Sequence, residues 1–313
     1  MPARTARVAF LGNDRWSVPS LEALAGSRHE VALVVTAVPK PAGRGNRLRR
    51  TPVAETAERL GLPLEEVPTV RTGRGFERLA GSSPDVLAVV AYGEILPREV
   101  LSLPAIAPVN LHFSLLPLLR GASPVQTALL LGLRRTGVTT IVMDEGMDTG
   151  PVLLRRAEPI RPTDDAGALG ARLADLGAGL LTLSIDLLVA GKVTPTPQDH
   201  AMASFAPKLG PRDRVLDWTQ EATALVNRCR ALSPEPGART RFRGRDLKVL
   251  AAEEVAGVAG TPGTIVEVSS QGFVVAAATG GVRPLEVAPA GRRRMRGADF
   301  VNGFGPRVGE RLG

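Results

Sequence analysis

The chain has 313 residues and a formal net charge of +8, from 39 Lys and Arg against 31 Asp and Glu. That length supports two domains with substantial cores, and no apolar run approaches the ~18 residues that span a bilayer. One cysteine, Cys229, excludes an internal disulfide, and the three histidines (His29, His112 and His200) are too scattered for metal-ligand spacing; neither a metal nor a membrane is expected.

In chain order, Arg7-Val-Ala-Phe-Leu11 is a short apolar run ending at Gly12. It is too short for the core of a signal peptide, so the cytosol is the expected compartment. Pro19 to Ala25 has helical spacing, and Glu30 to Thr36 is a second apolar run. Pro52 to Leu60 reads as a helix with Thr51 as its N-cap and Pro52 at its first position. Asp85 to Ala91 is a third continuous apolar run. Runs apolar on both faces belong to a parallel sheet covered by helices. Residues 1–190 are therefore expected to form an open, Rossmann-like, mostly parallel α/β domain. Further strands are expected around Val109 to His112 and Val138 to Met143, and one long helix from Asp164 to Val189. Gly191 to Asp199 is polar and contains two prolines, so 191–208 reads as a linker.

The pattern changes over 209–313. A helix-like segment, Glu221 to Leu232, precedes short strands at Leu247 to Ala251, Gly263 to Val268, Phe273 to Ala277 and Val282 to Val287. Their spacing, with Gly and Ser turns between them, predicts a smaller, OB-like β-barrel. Cys229 falls in the helical pattern and reads as a core residue.

The positive charge is clustered. Lys40, Arg44, Arg47, Arg49 and Arg50 lie in one stretch without an acid, and Arg292, Arg293, Arg294 and Arg296 in another. Arg239, Arg241, Arg243, Arg245 and Lys248 form a third group with Asp246 inside it. A solvated face mixes its signs, so these runs point to a polyanionic partner.

Asn110 and His112 are two residues apart, so in an extended strand they share a face. In open α/β sheets ligands sit beyond the carboxyl ends of strands, which favours a functional His112 with a proton to exchange near neutral pH. Asn110 reads equally as a turn cap or as a donor to a developing oxyanion. Asp148 lies in Asp144-Glu-Gly-Met-Asp-Thr-Gly150, a tight turn that lacks calcium-loop spacing; beside an imidazole its carboxylate could orient or charge the ring. Gly12-Asn-Asp-Arg lacks the dinucleotide-binding glycines, and Ser114 has no nucleophile-elbow context. A nicotinamide cofactor and serine hydrolysis are both unsupported.

Asn110-x-His112-x-Ser114-Leu-Leu-Pro117, with Asp148 in Met147-Asp-Thr-Gly150, resembles the signature of the folate-dependent formyltransferases. Members of that family act on glycinamide ribonucleotide, sugar nucleotides or the methionyl ester of initiator tRNA. Three features resemble the tRNA-acting branch: Pro41-Ala-Gly-Arg-Gly45 running to Thr51-Pro-Val53, Val90-Ala-Tyr-Gly-Glu-Ile-Leu-Pro97, and the β-rich tail opened by Arg214-Val-Leu-Asp-Trp218. Phe113 departs from the pattern, standing where Gly is common.

The resemblance implies a formyl donor, 10-formyltetrahydrofolate, and an acceptor, the α-amino group of methionine on initiator tRNA. It implies that Asn110 and His112 stabilise the oxyanion while Asp148 keeps His112 charged and relays a proton. It places Ser114, Leu115, Leu116, Pro117, Tyr92, Gly93, Ile95, Leu96 and Asp144 at the folate, and Lys40, Arg44, Arg47, Arg49, Arg50 and Lys208 at the tRNA. A monomer that needs no metal is expected. The rivals are a formyltransferase for a sugar nucleotide or other small amine, which has no use for the basic stretch at 40–50, and a degenerate RNA-binding protein, which has no use for the three polar residues together.

Overall fold

The computed structural model describes residues 4–42 and 47–313. Contacts divide the chain into two compact units that interleave along the sequence. One comprises 1–124, 136–159 and 170–207; the other comprises 125–135, 160–169 and 208–313.

The first unit is built on a seven-stranded sheet. In chain order its elements are β1 (Arg7–Gly12), α1 (Val18–Ala25), β2 (Glu30–Ala37), a ribbon of β3 (Lys40–Ala42) and β4 (Arg47–Arg49), α2 (Pro52–Arg59), β5 (Leu64–Val67), α3 (Gly73–Gly81), β6 (Val86–Val90), α4 (Arg98–Leu101), β7 (Ala107–His112), α5 (Pro124–Leu130), β8 (Arg135–Val142), β9 (Val152–Pro159) and α6 (Ala166–Val189). Of these, α5, α6 and the first residue of β8 cross the boundary between the units along the sequence. The sheet order is β5-β2-β1-β6-β7-β8-β9. β1 pairs in parallel with both β2 and β6, and β6 with β7. All five residues of β6 are buried, as a parallel strand covered on both faces requires. The strand order reverses direction beside β1, and such a switch point opens a crevice at the carboxyl ends of the strands. Gly12, Val90 and His112 end there.

Beyond β7 the sheet turns antiparallel: Asn110 lies opposite Ile141, and His112 opposite Thr139. α2 begins where the sequence places it, with Thr51 Oγ1 accepting from Ala54 N at 3.0 Å. β5 escaped the sequence reading because its Leu-Glu-Glu-Val is half acidic. Its buried Glu65 is matched by Arg74 and Arg78 of α3 at 2.9 and 2.6 Å. The segment expected to be a linker is stapled into this unit. Thr196 and Val152 exchange backbone hydrogen bonds at 2.8 Å, and Arg120 bonds to Ser204 and Ala206 at 2.8 and 2.7 Å. Among the described residues, no helix is long and apolar enough to cross a membrane.

The second unit contains α7 (Ala222–Leu232), β10 (Ala238–Phe242), β11 (Arg245–Val255), β12 (Ile265–Ser269), β13 (Gly272–Ala276), β14 (Gly281–Pro289), β15 (Met295–Arg296) and α8 (Gly297–Phe304). The antiparallel order is β10-β11-β14-β13-β12, with β15 beside β14. β10 hides in the basic run: Ala238, Thr240 and Phe242 point inward while Arg239 and Arg241 point out, the period-2 pattern of a half-buried strand. The last residues close the sheet. Leu312 bridges Phe242 at the end of β10, and Arg311 bridges Thr264 just before β12. Arg243 clamps this closure, donating to both Glu310 carboxylate oxygens at 2.9 and 3.0 Å and to the Phe304 and Gly305 carbonyls. Its guanidinium holds Glu310 below the usual carboxylate range. Phe300 of α8 fills the centre, 4.6 Å from Phe304 and 5.3 Å from Phe242 between ring centres. Cys229 is fully buried in this core and burial pushes its thiol up to about 12, so it is an apolar filler rather than a nucleophile.

Because Leu312 is 3% exposed and joins the two sheet edges, Leu312→Ala is expected to destabilise the second unit by about 2–5 kcal/mol. Urea unfolding followed by Trp218 fluorescence measures it; a shift below about 1 kcal/mol would mean that closure is not part of the core.

Candidate active site

β7 carries Asn110 and His112 on one face, as their spacing dictates. Its end places His112 where the chain folds back over the ring. His112 Nε2 lies 2.9 Å from the Leu119 carbonyl. A carbonyl only accepts, so Nε2 carries a proton. The other ring nitrogen, Nδ1, is 3.5 Å from Asp148 Oδ2, ion-pair range and too long for a strong hydrogen bond. With Nε2 committed, Nδ1 is the edge that meets the carboxylate. His112 is 5% exposed.

Asp148 is held from several sides. Its Oδ2 accepts from Gly121 N at 2.8 Å and its Oδ1 faces Asn110 Nδ2 at 3.4 Å. Its backbone is left-handed, with φ at 56°, a conformation that costs a non-glycine residue energy and that Asp tolerates better than most. Two glycines make room for this turn. A Cβ on Gly150 would stand 1.8 Å from the Val142 carbonyl, and one on Gly121, at φ 118°, 2.7 Å from the Ala206 carbonyl. Asp144 seals the turn by accepting from Gly146 N at 3.1 Å and Thr149 Oγ1 at 2.6 Å.

Beside this cluster are two cavities. A small one, about 90 Å³, is lined by Asn110 and Asp148 together with Glu94, Ile95, Leu96, Ile141, Met143, Asp144, Gly146 and Met147. A wider one, about 430 Å³, shares Met143, Asp144 and Gly146 and adds Arg98, Leu101 and Glu145.

Of the residues the sequence assigns to the folate, Ile95, Leu96 and Asp144 line the small cavity. The others line neither cavity. Leu116 is buried in a cluster with Ile141 and Val152. Ser114 is buried, and its hydroxyl donates to the Leu118 carbonyl at 2.5 Å; Thr139 Oγ1 fastens the same turn through Ser114 O and Leu116 N. Leu115 and Pro117 are half-buried in this turn, and Gly93 is exposed at a φ of 85°. Tyr92 is packed in the core, and burial raises its phenol above its ordinary value. Its carbonyl accepts from Asn13 Nδ2. Phe113, the departure from the family pattern, is buried against Trp16 at 5.9 Å between ring centres. The close approach of Trp16 to Gly170 makes the space, since a Cβ there would meet the indole at 2.1 Å.

The basic residues divide. Lys40, Arg47 and Arg49 are exposed on the β3–β4 ribbon, and Lys208 is exposed. Arg44 lies outside the described residues. Arg50 differs from its neighbours: Glu66 takes it in two hydrogen bonds at 3.0 and 2.9 Å, and Glu58 in one at 2.6 Å. Those carboxylates raise its pKa. Arg50 therefore anchors the base of the basic stretch.

A formyl transferase family model matches residues 6–185, and the C-terminal domain model of formyl transferases matches 208–305. The chain belongs to the formyl transferase family. Among relatives of this formyl transferase, the methionyl-tRNA formyltransferase of Thermus thermophilus is 45% identical over 307 residues, 98% of this chain and 99% of that protein. The one from Aromatoleum aromaticum is 41% identical over 312 residues, 100% and 98% of the two chains. Solved structures share the fold at low identity. HypX from Aquifex aeolicus in complex with tetrahydrofolic acid has a TM-score of 0.64 at 18% identity, over 97% of this chain and 48% of that one. The N-formyltransferase from Helicobacter canadensis in complex with folinic acid and dTDP-3-aminofucose has 0.65 at 16%, over 89% and 98%.

The residues of the site that the sequence did not assign are Leu119, behind His112, Gly121 and Gln198, on Asp148, and the cavity residues Ile141 and Met143. Gly121 and Gln198 reach Asp148 from 27 and 50 residues away, contacts that carry no local signal.

Gly150→Ala is expected to destabilise the first unit by about 1–3 kcal/mol through overpacking against β8 and to depress any activity that uses Asp148. Denaturation midpoints and turnover measured on one preparation check both; a silent substitution would show that the turn is not tightly packed.

Proposed function

We propose that this formyl transferase moves the formyl group of 10-formyltetrahydrofolate to the α-amino group of methionine esterified to initiator tRNA, supplying translation initiation, and that it works as a monomer in the cytosol. The observation that carries this is the continuity of the match. Methionyl-tRNA formyltransferases resemble the chain at 41 and 45% identity through both units, whereas the Helicobacter sugar enzyme shares only the fold.

The chemistry follows from the site. The amine attacks the formyl carbon, a C–N bond forms, and the formyl oxygen becomes an oxyanion. Asn110, which lines the small cavity, and His112, held beside Asp148, stabilise it. Preorganised donors of this kind are worth ~10²–10³-fold in rate each. Asp148 accepts the amine proton, directly or through one water, and returns it to the donor's N10 as the old C–N bond breaks. Tetrahydrofolate and formylated methionyl-tRNA leave. Positioning and electrostatics suffice for this transfer. Ile95, Leu96 and Asp144 hold the folate, with the 114–117 turn and the Tyr92 loop fixing the wall behind them.

Lys40, Arg47, Arg49, Lys208 and Arg44 take up tRNA phosphates. Such contacts give affinity that falls with salt rather than base choice. A sugar amine has no use for them.

His112→Ala and Asp148→Asn are each expected to lower formylation by about 10²-fold or more, as for groups in proton transfer, with tRNA binding unchanged in filter assays. Removing Arg47 and Arg49 together is expected to lower the slope of log affinity against log salt by about 2; an unchanged slope would take the ribbon out of the interface. The deciding assay offers formyl donor with methionylated initiator tRNA or with a sugar-nucleotide amine. Transfer to the tRNA alone supports the function, and transfer to the sugar alone overturns it.

A further inference from the structure

Gln198 lies in the polar, proline-bearing stretch that reads as a linker, yet it is 5% exposed. Its carboxamide is fully committed. Nε2 donates to the carbonyls of Asp148 and Gly150, at 2.8 and 2.7 Å. Oε1 accepts from Arg120 Nη2 at 2.7 Å and from Arg120 Nε at 3.2 Å. Arg120 can only donate and the two carbonyls can only accept, so the amide has one orientation. Arg120 is itself 4% exposed, has no carboxylate partner among the described residues, and donates onward to His200 Nδ1 at 3.1 Å.

The flanks are rigid on both sides. Thr196 is bonded to Val152, and Ser204 and Ala206 to Arg120. Gln198 therefore reaches the Asp148 turn from a fixed base. Its two bonds hold the backbone on the carboxyl side of Asp148, at the carbonyls of residues 148 and 150, while Gly121, next to Arg120 in sequence, holds the side chain by donating to Oδ2 at 2.8 Å. One network thus grips both backbone and carboxylate of a residue held in the left-handed region.

We propose that Gln198 is a positioning residue for Asp148: its two N–H donations, oriented by Arg120, hold the turn in the strained conformation that keeps the carboxylate between Gly121 N and His112 Nδ1. The inference rests on the functional reading above, in which Asp148 moves the proton. A displacement of about 1 Å in such a group costs up to ~10²-fold in rate. Donor and tRNA touch other residues, so their binding stays intact.

The test is Gln198→Glu, which keeps the size and the contact with Arg120 but removes both N–H donations. Steady-state formylation of methionylated initiator tRNA is expected to show kcat lowered by about 10–10²-fold, with both KM values within roughly twofold of wild type. In an Asp148→Asn background the same change is expected to cost nothing further, because coupled residues are non-additive. Gln198→Asn, which withdraws the amide by one methylene, replaces it if the charged variant does not fold and is expected to show the same split. A folded variant with unchanged kcat, a loss confined to KM, or a full additional loss in the Asp148→Asn background overturns the proposal. A wild-type enzyme that does not formylate the tRNA overturns the functional reading and this inference with it.

Discussion

The site depends on one strained turn. Asp148 occupies the left-handed region, which an L-residue holds only where its surroundings over-determine it. Here they do. Gly150 lets the chain pass against β8, Gly121 offers its amide to the carboxylate, and Gln198 ties down the carbonyls of Asp148 and Gly150. Without that turn the carboxylate would relax to ordinary backbone geometry and lose its place beside the imidazole. The His112 ring is fixed from the other direction, by a carbonyl that leaves only Nδ1 to face Asp148. The parallel sheet brings β7 to this point, and the antiparallel β8 returns the chain from Ile141 to the Asp148 turn.

Much of this was legible in the sequence. Buried parallel strands announce themselves as unbroken apolar runs, which is why β1, β2 and β6 were readable. Thr51 and Pro52 marked the start of α2 by simple capping chemistry. Asn110 and His112 were readable as a pair because a strand has period two. Other parts were hidden for equally physical reasons. β5 is half acidic because α3 supplies arginines to it, and β10 alternates Arg with inward residues, so both look like charged loops until the partner is present. Gln198 was invisible because its meaning lies in partners 48 to 78 residues away, and polarity with two prolines looks the same in a free linker and in a stapled strap. Lining the cavity could not be told from lying behind it: Leu116 packs against Ile141 of the wall, and Ile95 and Leu96 form the wall.

The cationic character is likewise not uniform. Arg50 and Arg243 are bound by carboxylates and secure the fold locally, while Lys40, Arg47, Arg49 and Lys208 remain exposed. Only the exposed set is suited to a phosphate backbone, where counterion release gives affinity. In this account catalysis belongs to a compact, nearly dry cluster, and substrate capture to charges that stay in water.

The most direct measurement is a crystal structure of the protein with a stable formyl-bearing folate analogue. The formyl oxygen is expected at about 3 Å from Asn110 Nδ2, with Asp148 still accepting from Gly121 N and still facing His112 Nδ1. A formyl group bound away from Asn110, or an Asp148 turn released from the left-handed conformation when the donor is present, would contradict it.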